Sequence, residues 1–314
     1  MKEKISAIIV TMNRKEELIE CIDSLVESKC NFFEIIVVDN GSIVPTSRFL
    51  KRKYPKLKII RSEENVGAAA GRNIGIKNAK GNYYFFMDDD ARIDKNAICE
   101  MLKLFKFKKS IGIVQPKVYD KDKPDILQGV GHTINLLTGR AKAWGVMEED
   151  KGQYDLDREI PMTGGICLVK RKVIDDIGMF DEDYFIPYED SDLCIRAIKA
   201  GYKVYCSGSA KSWHQGKKQT AVNPRLEWMG VTTPERAYRI ARNKMMFLRK
   251  HAPHSKLMVF LIFILPFYAI AHSAIIVSSK RWDILSSYWK GLFAGLLYFT
   301  TYREKPTSFY MYLF

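Results

Sequence analysis

The sequence lacks the cysteine patterns that identify small disulfide-rich domains and zinc sites. Its six cysteines, at positions 21, 30, 99, 167, 194 and 206, form no CxxC pair and no zinc-like spacing. A chain of 314 residues can bury a large core without disulfides. Free cysteines are usually buried in proteins. We therefore predict six reduced thiols in the core.

The sequence also lacks an internal repeat, a low-complexity tract and a cleavable signal. Near the N-terminus, the short apolar run in MKEKISAIIVTMNRKEEL has charges on both sides and no small-residue cleavage site. This pattern predicts a β-strand, and it predicts that the globular part of the chain faces the cytoplasm.

Acidic residues are fewer than basic ones, 36 against 50, which gives a formal net charge of +14. Such a surplus suits nucleic acid, an anionic membrane surface or a phosphorylated small molecule. A nucleic-acid binder would carry the surplus as a stripe with stacking aromatic residues. Here much of it, from Arg236 to Lys256, precedes an apolar segment instead. We therefore predict no nucleic-acid partner.

Apolar strand patterns alternate with helical patterns from residue 1 to about 90. The strand patterns are SAIIV, EIIVVD, LKII and YYFFM, and the helical patterns cover residues 15–28, 46–53 and 68–79. The first helix is predicted to begin with a capping box formed by Asn13 and Glu16. This alternation predicts a doubly wound, mostly parallel sheet, which binds ligands beyond the carboxyl ends of its strands.

The rest of the chain divides into two parts. Between about 111 and 215, short strands, turns and a helix at 191–200 predict a mixed sheet that completes the first domain. Residues 257–279 contain no Asp, Glu, Lys or Arg. They would span about 34 Å as a helix, against a bilayer core of about 30 Å. Because basic residues flank this segment and the apolar piece 291–302, a membrane span, interfacial helices and buried core or dimerisation helices all stay open.

Acidic residues follow two predicted strands and open one predicted helix. Asp39, after EIIVVD, suits either a nucleobase N–H or a helix N-cap. The adjacent carboxylates of MDDD, residues 87–90, persist when they are solvated or when they bind a hard cation such as Mg²⁺ or Mn²⁺. In YEDSD, Glu189 and Asp190 suit helix capping, and Asp190 also suits a general base.

Seven motifs occur in an order that is typical of one enzyme family. They are TMNRKEELIECIDSL, VVDNGS, ENVGAAAGRNIGIKNAKGNYYFFMDDDARID, MTGGICLVKRKVIDDIGMFDEDYF, YEDSDLCIRAIKAGYKV, SWHQGKK and RIARNKMMFLRK. Over residues 4–250 the chain strongly resembles the family 2 glycosyltransferases of the GT-A fold. The resemblance implies an α/β glycosyltransferase domain at 1–250. Within it, 1–110 would bind the nucleotide sugar and 111–235 the acceptor, and 251–314 would form a hydrophobic, membrane-associated helical region.

The resemblance also implies roles for individual residues. The nucleotide sugar would be bound by Thr11, Asn13, Asp39, Asn40, Arg72, Asp88, Asp89, Thr163, Gly164 and Gly165. A divalent cation, Mn²⁺ or Mg²⁺, would be bound by Asp90, with Asp88 and His214 as further ligands. Asp190 would be the catalytic base, and Glu189 would lie beside it toward the acceptor. Because MDDD holds three aspartates, which two of them contact the ion stays open.

These roles predict an inverting transfer of a single sugar. Asp190 would deprotonate the acceptor hydroxyl while the cation neutralises the diphosphate leaving group. Processive polysaccharide synthases carry a Q-x-x-R-W element and several spanning helices, which are missing here. The tail SSYWKGLFAGLLYF resembles that of rhamnosyltransferase-like members. The predicted acceptor is therefore a lipid-linked or cell-surface glycan, and the predicted location is the cell membrane, with its anionic surface as a partner.

Several properties and two other functions stay open. The donor is a UDP, dTDP or GDP sugar, and the C-terminal helices leave room for a homo-oligomer. A non-catalytic, membrane-bound subunit would bind the nucleotide sugar without turning it over. A sugar nucleotidyltransferase shares acidic metal sites, yet it should have a Gly-rich basic loop after the first strand, where this chain has VTMNRKEE.

Overall fold

The computed structural model describes residues 3–30, 32, 34–215 and 223–301. The strands are β1 (Ile5–Thr11), β2 (Glu34–Asn40), β3 (Lys58–Ser62), β4 (Tyr83–Asp88), β5 (Ala91–Ile93), β6 (Ile111–Asp120), β7 (Leu127–Gly129), β8 (His132–Ile134), β9 (Ala141–Ala143), β10 (Arg158–Glu159), β11 (Cys167–Lys170) and β12 (Lys203–His214). The helices are α1 (Lys15–Val26), α2 (Ser47–Lys53), α3 (Gly67–Asn78), α4 (Ala97–Phe107), α5 (Arg171–Ile177), α6 (Glu189–Lys199), α7 (Pro224–Met229), α8 (Pro234–His251), α9 (His254–Val259), α10 (Leu265–Ser278) and α11 (Trp282–Thr301), with a 3₁₀ turn at Glu182–Tyr184 and a π-helical turn at Phe260–Ile264.

The first four strands form the parallel part of one mixed sheet. Their order is β3-β2-β1-β4, and each neighbouring pair is parallel. Helices α1, α2 and α3 connect them, because a parallel pair needs a long crossover. The strand order reverses beside β1, which has β2 on one side and β4 on the other. The predicted doubly wound sheet is confirmed, and its ligand-binding edge lies at this reversal.

The second part of the chain extends the same sheet with antiparallel strands. β11 lies between β4 and β6 and is antiparallel to both, while β12 is parallel to β6. The short strands β5 and β10 pair with β12, and β7 pairs with β6. β8 and β9 form a separate hairpin. A mixed sheet therefore runs through both parts, as the sequence predicts.

The central strands are buried on both faces. Ile8 packs in one apolar layer with Phe86 of β4, and Ile9 packs in the other with Phe85. Successive side chains of a strand point to opposite faces, so a continuous apolar run needs a cover on each side. Burying each such side chain contributes about 1.5–3 kcal/mol. The runs SAIIV and YYFFM therefore mark the centre of the sheet.

The capping box predicted for α1 is wrong. Arg14 occupies the N-cap position and its side chain makes no capping hydrogen bond. Asn13 has a left-handed backbone, with φ of 58°, and its Oδ1 accepts a hydrogen bond of 2.8 Å from the Ile43 N–H. Asn13 therefore ties the loop after β1 to the loop after β2, a long-range role that its local sequence does not reveal.

The prediction of six reduced cysteines is wrong for one pair. Cys30 and Cys99 form a disulfide with an S–S distance of 2.09 Å across a sequence separation of 69 residues. Cys21, Cys167, Cys194 and Cys206 are free and buried, as predicted. The sequence offered no spacing that would identify the bonded pair, because the fold alone brings the two residues together.

The C-terminal helices pack beside the sheet domain and leave an apolar surface exposed. Helix α11 packs along α8, where Gly291 lies against the Tyr238 backbone. Within the described ranges, one helical segment, His254–Ser278, is long and apolar enough to cross a membrane. Phe263, Phe267 and Ile270 in this segment remain 68%, 67% and 70% exposed. Residues 302–314 of the predicted hydrophobic region lie outside the described residues.

Candidate active site

The ends of three strands meet at the edge where the strand order reverses. Thr11 at the end of β1 pairs in register with Asp39 of β2, and Val10 pairs with Asp88 of β4. The carboxyl ends of parallel strands lie on the same edge, so the topology gathers these residues although they are distant in sequence. The sequence prediction of a common edge for Thr11, Asp39 and the MDDD residues is confirmed by this register.

Basic side chains partly neutralise the carboxylates of MDDD. The Arg14 guanidinium contacts Asp89 Oδ1 at 3.3 Å and also donates a hydrogen bond to Asp90 Oδ2. His214 Nε2 lies 3.1 Å from Asp90 Oδ1 and 3.9 Å from Asp88 Oδ2. The structure therefore brings His214 to the MDDD residues, as the resemblance implied. It adds Arg14, which sequence reasoning missed.

The pKa values of two of these carboxyl groups are shifted in opposite directions. Burial raises the pKa of Asp89 to about 6, and the Thr11 hydroxyl and Arg14 oppose this rise. Burial alone would also raise the pKa of Asp90, but the hydrogen bond and charge of His214 and the charge of Arg14 lower it to about 2. Asp90 is therefore anionic throughout the physiological range, as a cation ligand must be.

The side chains of Asp88, Asp90 and His214 fit a divalent cation in chemical type. Carboxylate oxygens and an imidazole nitrogen are ligands that suit Mn²⁺, and carboxylates also suit Mg²⁺. Their present arrangement is an ion-paired cluster: over the described ranges, no three His, Cys, Asp or Glu side chains are gathered as a metal centre. Arg14 contacts Asp90, and its side chain is 49% exposed. An exposed arginine can move aside when a cation binds.

Arg72 links the MDDD residues to helix α6. Its Nη1 donates a 2.8 Å hydrogen bond to Glu189 Oε1, and its Nη2 donates a 3.2 Å hydrogen bond to Asp88 Oδ1. The guanidinium is buried, and its pKa is raised because the carboxylates of Glu189 and Asp88 outweigh the effect of burial. The predicted contact of Arg72 with the nucleotide sugar stays a prediction. In this structure Arg72 positions two carboxylates.

Glu189 is buried and only half satisfied. Its Oε2 has no hydrogen-bond partner among the described residues, while Oε1 pairs with Arg72. Burial raises the pKa of Glu189 to about 7, the neighbouring Asp190 adds to the rise, and Arg72 opposes it. A buried carboxyl with a free oxygen and a near-neutral pKa is typical of functional sites.

A small pocket lies beside these residues. Arg72, Thr163, Gly164, Gly165 and Asp190 contribute to its lining. A Cβ on Gly165 would lie 2.6 Å from Asp88 Oδ2 and 2.8 Å from Arg72 Nη2, so a larger residue would have to displace these two side chains. The pocket is small, and it gathers five of the predicted site residues.

Asp190 lies in the first turn of α6, where the helix dipole favours negative charge. Its Oδ1 accepts a 3.2 Å hydrogen bond from the Ser191 hydroxyl, which in turn lies 2.9 Å from His132 Nε2. Burial lowers the pKa of His132, and the charge of Asp190 opposes this. Sequence reasoning missed His132, because it belongs to a three-residue strand that carries no motif.

Three further residues that were predicted to bind the nucleotide sugar, Asp39, Asn40 and Asn13, hold loops in place. Asp39 is fully buried, and it accepts 2.9 Å hydrogen bonds from the Ser42 and Thr46 N–H groups and from Arg61. The helix N-cap predicted as the alternative for Asp39 is wrong, because Thr46 occupies the N-cap position of α2. Asp39 instead holds the loop between β2 and α2. Contact of Asp39 with a nucleobase stays a prediction.

Asn40 and Asn13 have similar positions at the same edge. Asn40 accepts a 3.0 Å hydrogen bond from the Val66 N–H and donates to Asn65 Oδ1 and Gly67 O, which fixes the loop before α3. Asn13 bonds the loop after β2, as described above. Both side chains therefore hold loops in place at this edge of the sheet. Their contact with the nucleotide-sugar donor stays a prediction.

Helix α8 contributes a positioning residue that sequence reasoning missed. Asn243 is fully buried and donates to the carbonyl oxygens of Tyr184, at 2.7 Å, and Pro187, at 2.9 Å. These carbonyls belong to the loop that leads into Glu189 and Asp190. The motif RIARNKMMFLRK contains Asn243 and was the available signal, but a motif does not show which loop its residues hold.

Two residues after Asp190, the chain has a carboxylate in a different setting. Asp192 is fully buried and accepts hydrogen bonds from Arg196 Nε at 2.7 Å and from His251 Nε2 at 2.8 Å. Lys250 also donates to Asp192, and it forms a second ion pair with Asp181 at 2.8 Å. Asp192 therefore joins α6 to the end of α8 and has no open side toward the pocket.

Comparisons with known proteins agree with this geometry. The family model described as glycosyl transferase family 2 matches residues 6–178. The dTDP-rhamnosyl transferase RfbF of Shigella flexneri is 27% identical over 292 residues, which cover 90% of this chain and 90% of that protein. The uncharacterized glycosyltransferase YwdF of Bacillus subtilis is 38% identical over 200 residues, 62% of this chain and 68% of YwdF.

Solved structures support the fold. The mannosyltransferase PcManGT from Pyrobaculum calidifontis, in complex with GDP-Man and Mn²⁺, is similar with a TM-score of 0.57 and 16% identity, over 96% of this chain and 88% of that one. GalNAc-T7 with UDP, GalNAc and Mn²⁺ gives a TM-score of 0.59 and 14% identity, over 85% of this chain and 57% of that one. The sheet, the edge residues and the family match lead to one conclusion: the chain belongs to glycosyl transferase family 2 and is a glycosyltransferase of the GT-A type.

Proposed function

We propose that this protein transfers a single sugar from a nucleotide-sugar donor to a hydroxyl group of a lipid-linked or cell-surface glycan, with inversion at the anomeric carbon. The observation that carries the proposal is the shared pocket of Asp190, Arg72 and the Thr163–Gly165 loop, next to the carboxylates of MDDD. A base, a small pocket and a cation-type donor set lie within one site.

Asp190 is the proposed base. It takes the proton of the acceptor hydroxyl as the acceptor oxygen forms a bond to the anomeric carbon and the bond to the nucleoside diphosphate breaks. One displacement with one base inverts the configuration at that carbon. Arg72 and the bare backbone at Gly165 keep the carboxylate of Asp88 and the reacting sugar close together.

We assign Asp90, Asp88 and His214 as the residues that would hold a divalent cation. When bound, such an ion neutralises charge on the diphosphate leaving group. Asp90 supports this assignment because its pKa of about 2 keeps it anionic. Its neighbour Arg14 is half exposed and supplies a positive charge that can turn toward the same phosphates.

The donor proposed first is a dTDP-linked deoxyhexose. RfbF, which is named a dTDP-rhamnosyl transferase, covers 90% of this chain at 27% identity. UDP and GDP sugars are the other donors to test. Thr11, Asn13, Asp39, Asn40 and Asp89 line the edge where we place the nucleoside.

The membrane location is proposed from the C-terminal helices. Residues 251–301 carry exposed aromatic and aliphatic side chains beside basic flanks, which suits an anionic membrane surface. In this arrangement residues 1–250 form the catalytic domain on the cytoplasmic side. The exposed face of α11 is the surface that a homo-oligomer would use.

The test is an assay of the full chain in mild detergent with UDP, GDP and dTDP sugars. We expect release of the nucleoside diphosphate with Mn²⁺ or Mg²⁺, loss of that release with chelator, and a product of inverted anomeric configuration. Donor binding without release would instead identify a non-catalytic subunit. Activity that persists in chelator would refute the cation assignment, and Asp122→Asn, an exposed acidic position, provides a matched control.

A further inference from the structure

The turn between β8 and β9 lies between the catalytic helix and the C-terminal helices. The Tyr188 hydroxyl donates a 3.4 Å hydrogen bond to the Gly139 carbonyl, and Tyr188 directly precedes Glu189. Gly139 has φ of 65°, and a Cβ there would lie 2.7 Å from Lys244 Cγ. The stem of Lys244 on α8 therefore packs directly on this turn, and Arg140 follows Gly139 in the chain.

Arg140 and Lys244 carry positive charges without acidic partners. In the part of the chain that the structure describes, no carboxylate lies within ion-pair distance of either side chain, whereas Lys250 and Lys117 each contact two. Burial and, to a smaller extent, the nearby charge of Arg140 lower the pKa of Lys244 to about 8. Two cations that lie close together without an anion are unfavourable, and an anionic ligand would relieve this.

Aromatic rings and an apolar surface surround the two cations. The Arg140 guanidinium lies 5.5 Å from the ring centroid of Trp228, and Lys244 Nζ lies 5.0 Å from that of Tyr268. Tyr268 belongs to α10, and its chain neighbour Phe267 is 67% exposed. A cationic spot therefore borders directly on the exposed apolar face of α10. This combination matches an amphiphile with an anionic headgroup.

We propose that Arg140 and Lys244 bind the phosphate or diphosphate group of an amphiphilic acceptor whose apolar chain lies along α10. The inference rests on the proposed function and adds the chemical class of its acceptor. A sugar attached to that phosphate would extend past Tyr188 toward Asp190. The two cations then fix the distance between the anchored headgroup and the reacting hydroxyl.

The test measures binding of farnesyl diphosphate and of farnesol to the full chain in neutral detergent. The two probes share an apolar chain and differ in the headgroup. We expect farnesyl diphosphate to bind about 100-fold more tightly, because the charged hydrogen bonds of the two cations are worth about one order of magnitude each. Arg140→Gln and Lys244→Met should each remove about tenfold of this preference, and the methionine keeps the apolar stem that packs on Gly139.

Lys256→Gln is the matched control. Lys256 is exposed on α9, near the same helices, and the substitution removes the same charge. An equal loss in Lys256→Gln, or no preference in the unsubstituted protein, would overturn the proposal. Full competition by vesicles of phosphatidylcholine with phosphatidylglycerol would assign the cations to bulk lipid and also overturn it. Donor hydrolysis is measured in parallel. Absence of donor hydrolysis would count against the proposed function. The binding of the headgroup tests the role of Arg140 and Lys244 separately.

Discussion

Two carboxylates of one helix, Asp190 and Asp192, have opposite surroundings. Asp190 lines the pocket, and among the described residues its side chain accepts hydrogen bonds from the neighbouring Ser191. Asp192 is fully buried among Arg196, Lys250 and His251. Helical residues two apart point in different directions, so one faces the site and the other faces α8. The difference shows that an acidic motif at a helix start can contain both a reactive group and a structural one.

Glu189, on the same helix, also differs from Asp192 in how its charge is balanced. Burial and Asp190 raise the pKa of Glu189 to about 7, and a single cation, Arg72, opposes the rise. Around Asp192, burial also acts to raise the pKa, but the hydrogen bond from His251 and the charges of Arg196 and Lys250 lower it well below the usual range. The structural carboxylate, Asp192, is therefore surrounded by enough basic groups to balance its charge, whereas the carboxyl group at the site, Glu189, is not.

The largest expected effect on stability is that of Asp192→Asn. Removing one partner of a buried ion pair leaves uncompensated charge and costs about 3–5 kcal/mol. We expect the free energy of unfolding, measured in urea, to fall by that amount. Asp175→Asn, at an exposed position on α5, is the control and should change it by less than about 0.5 kcal/mol. A similar small change for Asp192→Asn would show that the two carboxylates do not differ as described.

The next effect concerns the binding of the donor nucleotide. Asp90→Asn removes the carboxylate that we place on the cation, and we expect Mn²⁺-dependent binding of the nucleoside diphosphate to weaken by about 100-fold or more. Calorimetric titration with and without Mn²⁺ measures this. Asp122→Asn should bind as the unsubstituted protein does. If Asp90→Asn did the same, Asp90 would not be a ligand.

A smaller effect is expected for Asn243→Ala, which tests whether the loop before α6 serves the pocket. The substitution leaves the carbonyls of Tyr184 and Pro187 without their donor and should cost about 1–3 kcal/mol of stability. Because that loop leads into Asp190, we also expect kcat to fall while KM for the donor changes little. The control Asn78→Ala removes one local bond within α3. A loss of stability with an unchanged kcat would restrict Asn243 to a structural role.

The fourth effect is a pH dependence of stability that distinguishes Glu189 from Asp192. The folded-state pKa of Glu189 lies above its ordinary value, so its contribution to stability is fully present below about pH 4.5 and is lost as pH rises through about 7. Between these values the unsubstituted protein should lose up to about 1.4 kcal/mol per pH unit relative to Glu189→Gln. Urea unfolding at pH 5, 6, 7 and 8 measures the difference. Parallel curves would contradict the assignment.

The strands and the shared edge could be predicted because they follow from local patterns. Runs such as SAIIV and YYFFM are apolar on both faces, and this determines which strands lie at the centre of the sheet. The parallel order then places Thr11, Asp39 and Asp88 together. Acidic residues at strand ends were therefore informative before any contact was known.

The partners of these residues could not be predicted, because they come from distant parts of the chain. Arg14 reaches Asp89 across 75 residues, and His132 reaches Ser191 across 59. Arg14 belongs to the motif TMNRKEELIECIDSL, but the motif does not show which residue it contacts, and His132 belongs to no motif. Asp39 shows the converse: its local sequence suits a ligand, yet hydrogen bonds within the protein use both of its oxygens.

The measurement that tests the central assignment most directly is the rate of sugar transfer by Asp190→Asn, with donor binding and urea unfolding measured on the same preparation. We expect the rate to fall by about 10²–10⁴-fold, the usual contribution of a general base. Donor affinity and the free energy of unfolding should stay unchanged, in contrast to Asp192→Asn. An unchanged transfer rate, or a loss of donor binding equal to the loss of rate, would contradict the role of Asp190 as the base.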